Sequence, residues 1–222
     1  MSELTEGLKR IHTWFTKNRP EQISCLAPGL SREDIEQSTR FLPFKLPEEI
    51  YELYQWRNGS SGYNFLFENY EFMSLNAAVS AYREQIGEIR YYEREEAYWF
   101  EHSFPIFQLW CNGGVLYTIV PHVQRNSIIR IYDSECNDYS LRYHNLTNLI
   151  LHGADWYEAA YFVEKENAWD IINEEMNCLL DVKYMARDYL ANSITRKGVA
   201  VSRICEEIYQ RYINGDISST NA

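Results

Sequence analysis

Basic residues are scarce in this 222-residue sequence: 21 lysines and arginines face 32 aspartates and glutamates, a formal charge of −11 at neutral pH. A surface this acidic repels phosphate backbones and anionic lipid headgroups. That argues against nucleic acid and against a membrane surface as direct ligands, and it suits a basic protein partner. Long apolar runs are missing too. The longest uncharged apolar stretches, such as Val115 to Val120, fall far short of the roughly 20 residues of a membrane span. Met1-Ser2-Glu3-Leu4-Thr5-Glu6 has neither the basic start nor the apolar stretch of a signal peptide. Paired cysteines are a third absence. Cys25, Cys111, Cys136, Cys178 and Cys205 are odd in number, widely spaced and never in a C-x-x-C pair. They are expected to be reduced, mostly buried thiols rather than a disulfide framework, so the expected location is the cytoplasm.

Chemical signatures are equally thin. There is no G-x-x-x-x-G-K-[ST] phosphate loop, no G-x-G-x-x-G fingerprint, no H-E-x-x-H pair and no G-x-S-x-G elbow. Zinc requires about four converging donors, usually presented from close pairs. His12, His102, His122, His144 and His152 are dispersed, and Cys111, His122, Asp133 and Cys136 could meet only across neighbouring strands. No metal and no cofactor is expected. Glu93, Glu95, Glu96 and Glu101 cluster near Trp99 and His102. A carboxylate beside aromatic surface can act as a general acid when its pKa is raised. No second, spatially fixed catalytic group accompanies it, so no catalytic residues are assigned.

What is abundant is aromatic: 15% of the chain, with eighteen tyrosines and six tryptophans. Such residues fill a core and also suit wet protein interfaces, because Tyr and Trp join an apolar body to a polar tip. Leu4, Leu8, Ile11 and Trp14 recur at helical spacing, predicting a helix over 3–17, with a connector over 20–30. Ser31-Arg32-Glu33-Asp34 resembles a capping box opening a second helix. Leu46-Pro47-Glu48-Glu49-Ile50 opens a third, with Pro47 at its first position and Ile50, Leu53 and Tyr54 buried. That helix is expected to stop at Asn58-Gly59, where glycine takes the left-handed terminating conformation. Trp56 and Arg57 at this helix end, with Tyr63 beyond the Ser60-Ser61-Gly62 loop, are residue types enriched in binding hot spots.

A short strand is predicted around Tyr63 to Phe67 and a helix from Ser74 carrying Ala78, Val79, Tyr82, Ile86 and Ile89 on one side. Strands follow at Pro105 to Leu109, Val115 to Val120, Ser127 to Asp133 and Tyr139 to Tyr143, with an Asn112-Gly113-Gly114 turn between the first two. Turn-length gaps imply an antiparallel meander. From Leu146 the pattern is helical again, one stripe running Trp169, Ile172, Met176, Leu179, Lys183 and another Val201, Ile204, Ile208, Tyr212. The expected fold class is α+β: an antiparallel sheet of about five or six strands surrounded by helices, with a C-terminal helical extension. The expected segments are an N-terminal helix and connector (1–27), an α+β domain (28–165), the helical extension (166–213) and a disordered tail (214–222).

Taken in order, three segments form a recognisable series: Leu30-Ser31-Arg32-Glu33-Asp34-Ile35, then Phe44-Lys45-Leu46-Pro47-Glu48-Glu49-Ile50-Tyr51-Glu52-Leu53-Tyr54, then Asn58-Gly59. This series resembles the opening of the SUKH superfamily. Phe72-Met73-Ser74-Leu75-Asn76-Ala77-Ala78, Phe104-Pro105-Ile106-Phe107 and Asn148-Leu149-Ile150 are similar to later family segments. Gly113-Gly114-Val115 stands where many members carry Gly-Asp. The resemblance implies a binding role: bacterial members look like toxin-immunity proteins, and fungal relatives are regulators of cell-wall assembly and signalling hubs. It marks Leu46, Pro47, Tyr54, Asn58, Gly59, Phe104 and Pro105 as structural positions. The expected function is a protein-binding module with no enzymatic activity, an immunity protein that neutralises a toxin. Alternatives are a regulatory scaffold or hub and an unrecognised hydrolase or metal-dependent enzyme. The expected partner is another protein, a basic toxin domain being the leading candidate, and the candidate contact residues are Trp56, Arg57, Tyr63, Glu93, Glu95, Glu96 and Trp99.

Overall fold

The computed structural model describes residues 1–61, 65–67, 70–91, 94–109, 115–122, 125–133, 138–159, 162–165, 168–171, 174–186, 190–191, 203–216 and 218. Helix α1 (Glu3–Asn18) carries Leu4, Leu8, Ile11 and Phe15 on its buried side, and two glutamates in its first turn complement the helix dipole. The expected connector holds a short helix α2 (Pro20–Ile23) and strand β1 (Leu26–Pro28). Ser31 caps α3 (Arg32–Thr39) as the sequence predicts: its hydroxyl accepts from the Asp34 amide at 3.1 Å and donates to the Asp34 carboxylate at 2.7 Å.

Helix α4 (Glu48–Trp56) buries Ile50, Leu53 and Tyr54 completely, and Pro47 sits at the capping position rather than inside the first turn. The helix does not end on a left-handed glycine as expected. Arg57 closes it in extended conformation, and the chain enters strand β2 (Arg57–Ser60), which pairs antiparallel with β1. Gly59 does take a positive φ of 85°, for a different reason from helix termination. A Cβ there would lie 2.5 Å from the amide nitrogen of Ser74, so only glycine permits the approach. Beside it, the Asn58 side chain accepts from the Leu75 amide at 2.8 Å, serving the start of the next helix.

That next helix, α5 (Leu75–Glu88), is capped by Ser74 and buries Ala78, Val79 and Tyr82. It leads through a 3-10 turn (Ile89–Tyr91) into α6 (Arg94–Glu101), a helix over a segment the sequence presents only as a charged cluster. The strands are β3 (Phe65–Phe67), β4 (Tyr70–Phe72), β5 (Phe104–Leu109), β6 (Val115–His122), β7 (Arg125–Asp133) and β8 (Asp138–Tyr143), ordered in the sheet as they occur in the chain. The pairs from β3 to β7 are antiparallel. Helices and antiparallel strands thus make an α+β fold.

Helix α7 (Leu146–Ala159) follows. The expected helical run beyond it opens differently, with an antiparallel hairpin of β9 (Phe162–Lys165) and β10 (Ala168–Ile171) that takes Trp169 into a strand. Only Trp169-Asp170-Ile171 alternates apolar with charged residues, too short a run to set period two against a helical stripe. Helices α8 (Glu174–Tyr184) and α9 (Arg203–Asn214) come next. The buried side of α9 is Cys205, Ile208 and Tyr209; it shares Ile208 with the expected stripe but leaves Ile204 exposed. A disulfide joins Cys178 of α8 to Cys205 of α9, their Cα atoms 5.4 Å apart. This corrects the expectation of reduced thiols throughout; two cysteines distant in sequence meet because the helices pair. Cys25 is free, and Cys111 and Cys136 lie outside the described residues.

By compactness the chain forms two units, Phe15–Ser140 on one hand and Met1–Trp14 with Leu141–Ala222 on the other. The first has a dry aromatic core of Tyr54, Phe72, Phe104 and Phe107, with ring centroids 5.4 Å apart from Tyr54 to Phe72 and from Phe72 to Phe107. The second buries Arg142, His152 and Asp181. No helix among the described residues is long and apolar enough to cross a membrane.

Candidate functional site

The residues singled out for binding fall on two places in the Phe15–Ser140 unit. Trp56 closes α4 and Arg57 opens β2, both half-buried. The guanidinium of Arg57 donates to the Trp56 carbonyl at 2.9 Å and stands 5.7 Å from the indole. A cation over indole at the edge of a turn offers a flat apolar face with donors beside it. Tyr63 and Glu93 lie outside the described residues. Glu95, Glu96 and Trp99 belong to α6, their side chains outside the described atoms.

The residues marked as structural are brought together. Leu46, Tyr54, Phe104 and Pro105 are buried, and Tyr54 donates to the Met73 carbonyl at 3.3 Å. Burial pushes the Tyr54 phenol far above its ordinary range. The Met73 amide in turn donates to Ile106, and Leu30 donates to the Tyr54 carbonyl. The familiar segments therefore build one scaffold: α4, the Asn58-Gly59 corner, the start of α5 and strand β5.

A search for acid–base chemistry leads to the other unit, where His152, Arg142 and Asp181 are all buried. His152 Nδ1 lies 2.8 Å from the Tyr143 hydroxyl, and Nε2 lies 3.3 Å from Asp181 Oδ1, off the hydrogen-bonding line. Asp181 also accepts from Tyr209 of α9. Burial, with Arg142 adding repulsion, pushes the His152 imidazole down to about 3. Such a histidine stays neutral near neutral pH and cannot trade a proton there. Nearby, Asp155 accepts from Arg10 at 2.6 Å, Lys183 at 2.9 Å and Tyr184 at 2.5 Å. Burial opposes its ionisation, but these three donors outweigh burial and hold Asp155 below the usual carboxylate range. The cluster is a buried polar core that ties α1, α7, α8 and α9 together.

Elsewhere, Glu101 is exposed, its backbone carbonyl accepting from Tyr82 at 2.9 Å, and His102 Nδ1 lies 2.8 Å from the Tyr98 carbonyl. No group of three or more His, Cys, Asp or Glu among the described residues is placed to hold a metal ion. Of the cross-strand set considered for zinc, Cys111 and Cys136 fall outside the described residues, as do the side chains of His122 and Asp133.

Residues 29–152, more than half of the chain, match the SMI1/KNR4 family (SUKH-1). The protein belongs to that family, which covers toxin-immunity proteins and regulators. The matched stretch runs from just before α3 into α7 and takes in the whole scaffold described above. No curated protein matches the chain.

Proposed function

We propose that this SUKH-1 member is a non-catalytic protein-binding module acting in the cytoplasm as an immunity protein, which neutralises a toxin by direct contact. The observation that carries the reading is the family match over residues 29–152. The formal charge of −11 supports it, because a nuclease toxin must present a basic cleft to its substrate and an acidic plug is complementary to such a cleft. The proposed contact residues are Trp56, Arg57, Tyr63, Glu93, Glu95, Glu96 and Trp99, carried on a domain of residues 28–165 whose sheet has five or six strands. In the alternative reading, a regulatory scaffold, the C-terminal helices are an added docking face.

A toxin gene beside its own, with toxicity relieved by co-expression, tests this. The protein should restore growth, and Glu93→Lys, Glu95→Lys and Glu96→Lys together should weaken the complex without unfolding the domain. Growth arrest that the unaltered protein fails to relieve would remove the immunity role. An affinity unchanged by the three reversals at low salt would remove the acidic face. The family also covers regulators, and capture of a non-toxic endogenous protein would turn the reading toward a regulatory scaffold.

A further inference from the structure

Within the Phe15–Ser140 unit, five aromatic rings touch in series. Phe41 and Tyr82 are 6.0 Å apart between centroids, Phe44 meets Tyr82 edge-on at 6.3 Å, and His102 lies near-parallel to Phe44 at 6.2 Å. Tyr98 then stacks on His102 at 4.2 Å. Tyr82 is the buried hub, its hydroxyl fixed on the Glu101 carbonyl. Burial, then the Glu101 charge, raises its phenol to about 12, so it remains a donor. Around the hub the rings reach water: Phe41 is 40% exposed, Tyr98 is 56% exposed, and Phe44 and His102 are half-buried. They come from three places in the chain, the segment between α3 and α4, helix α5 and helix α6, so their spacing is set by the fold. Rings held in place this way lose little freedom on binding.

Charge supplies the second observation. Arg83, beside Tyr82 on α5, lays its guanidinium over Phe41 at 4.6 Å. A stacked guanidinium uses its face and keeps its in-plane N–H fork for a carboxylate. Among the described residues nothing accepts from that fork. Arg40 and Lys45, exposed and next in sequence to Phe41 and Phe44, likewise have no partner among the described residues. Glu84 and Glu101 are the described carboxylates adjacent in sequence to this shelf, and neither pairs with the three cations. In a chain carrying −11, three unengaged cations beside accessible rings form a local exception.

We propose that this face, Phe41, Phe44, Arg83, Tyr98 and His102, is a docking surface for an acidic peptide segment of a partner protein, one in which a ring-bearing residue is flanked by carboxylates. The ring of the segment packs on the shelf and a carboxylate takes the Arg83 fork, with Arg40 and Lys45 alongside. Single-stranded nucleic acid also stacks on aromatic side chains, but it needs a cationic track along its whole backbone. Three cations on a strongly acidic protein do not make one. The inference does not rest on the proposed immunity role, although Tyr98 shares α6 with Glu95, Glu96 and Trp99 of that role's face.

The test is an NMR titration of the 15N-labelled full-length protein with a capped pentapeptide, a tyrosine with two glutamates on each side, taken to millimolar concentration. Signals of Phe41, Phe44, Arg83, Tyr98 and His102 should move together. Replacing the glutamates by glutamines should weaken binding roughly tenfold, the scale of one lost charge-assisted hydrogen bond. Arg83→Gln, an exposed helix position that leaves the fold intact, should do the same, and Tyr98→Ala tests the ring contribution separately. An absence of shifts at these residues, or equal affinity in both variants, would overturn the proposal. Tighter binding of an eight-residue oligothymidylate than of the peptide would replace it with a nucleic-acid surface.

Discussion

The two compact units of this chain are held together by different means. Between Phe15 and Ser140 the largest buried side chains are aromatic, with Tyr54, Phe72 and Phe107 in successive contact and Phe104 against Tyr82. The unit formed by Met1–Trp14 and Leu141–Ala222 encloses His152, Asp181 and Arg142, surrounds Asp155 with three donors and adds a disulfide. A core of the first kind loses stability in proportion to the volume removed. A core of the second kind depends on every polar atom keeping its partner and its protonation state. Two neighbouring stretches of one sequence can therefore respond oppositely to the same perturbation.

Three experiments sharpen or break this contrast. Phe104→Ala should cost about 3–5 kcal/mol in chemical denaturation, because the side chain is fully buried in the dry core. A loss below about 1 kcal/mol would mean that this core yields and refills easily. Reduction of Cys178–Cys205, which are 27 positions apart, should cost roughly 3 kcal/mol from loop-closure entropy alone. Hydrogen exchange should locate the loss in α8 and α9, leave β4 and β5 unchanged, and vanish when both cysteines are serine.

Taken per pH unit, the smallest effect is the pH response. His152 has a folded pKa of about 3, against an unfolded value near 6.5, so the fold prefers the neutral ring. Above pH ~6.5 both states are neutral and the residue adds no slope. As pH falls from there toward 3 the unfolded state takes up a proton that the folded state refuses, and stability drops by at most about 1.4 kcal/mol per pH unit. Denaturation midpoints at pH 7, 5.5 and 4 should show this slope, and His152→Gln should flatten it. An unchanged slope in His152→Gln would assign the acid response to other groups.

Much of the α+β fold was legible because its signals are local. Ser31 and Ser74 announce their helices by capping, and Ile50, Leu53 and Tyr54 share one side of a helix by spacing alone. Features that depend on distant meetings were not legible. Cys178 and Cys205 give no pattern because their pairing follows from helix packing. The hairpin at 162–171 was not legible because strands of four residues are too short for either period to stand out. The aromatic shelf escaped for a related reason. Phe41 and Phe44 belong to no helical stripe, and only the tertiary structure sets them beside Tyr82 and His102. Of the proposed contact residues, Trp56 and Arg57 lie at the end of α4 where the spacing placed them, whereas the α6 helix that carries Glu95 and Glu96 was hidden by its charge.

The corner at Asn58-Gly59 reaches beyond strand β2. Asn58 holds the first amide of α5, and the missing side chain of Gly59 lets Ser74 approach. An α-helix turns about 100° per residue, so the point where α5 begins clocks everything it carries. A slip of one position at this corner would swing Arg83 a quarter-turn or more away from Phe41. The dipeptide therefore sets the zero of angle for a face that begins nine residues further along the helix from Ser74.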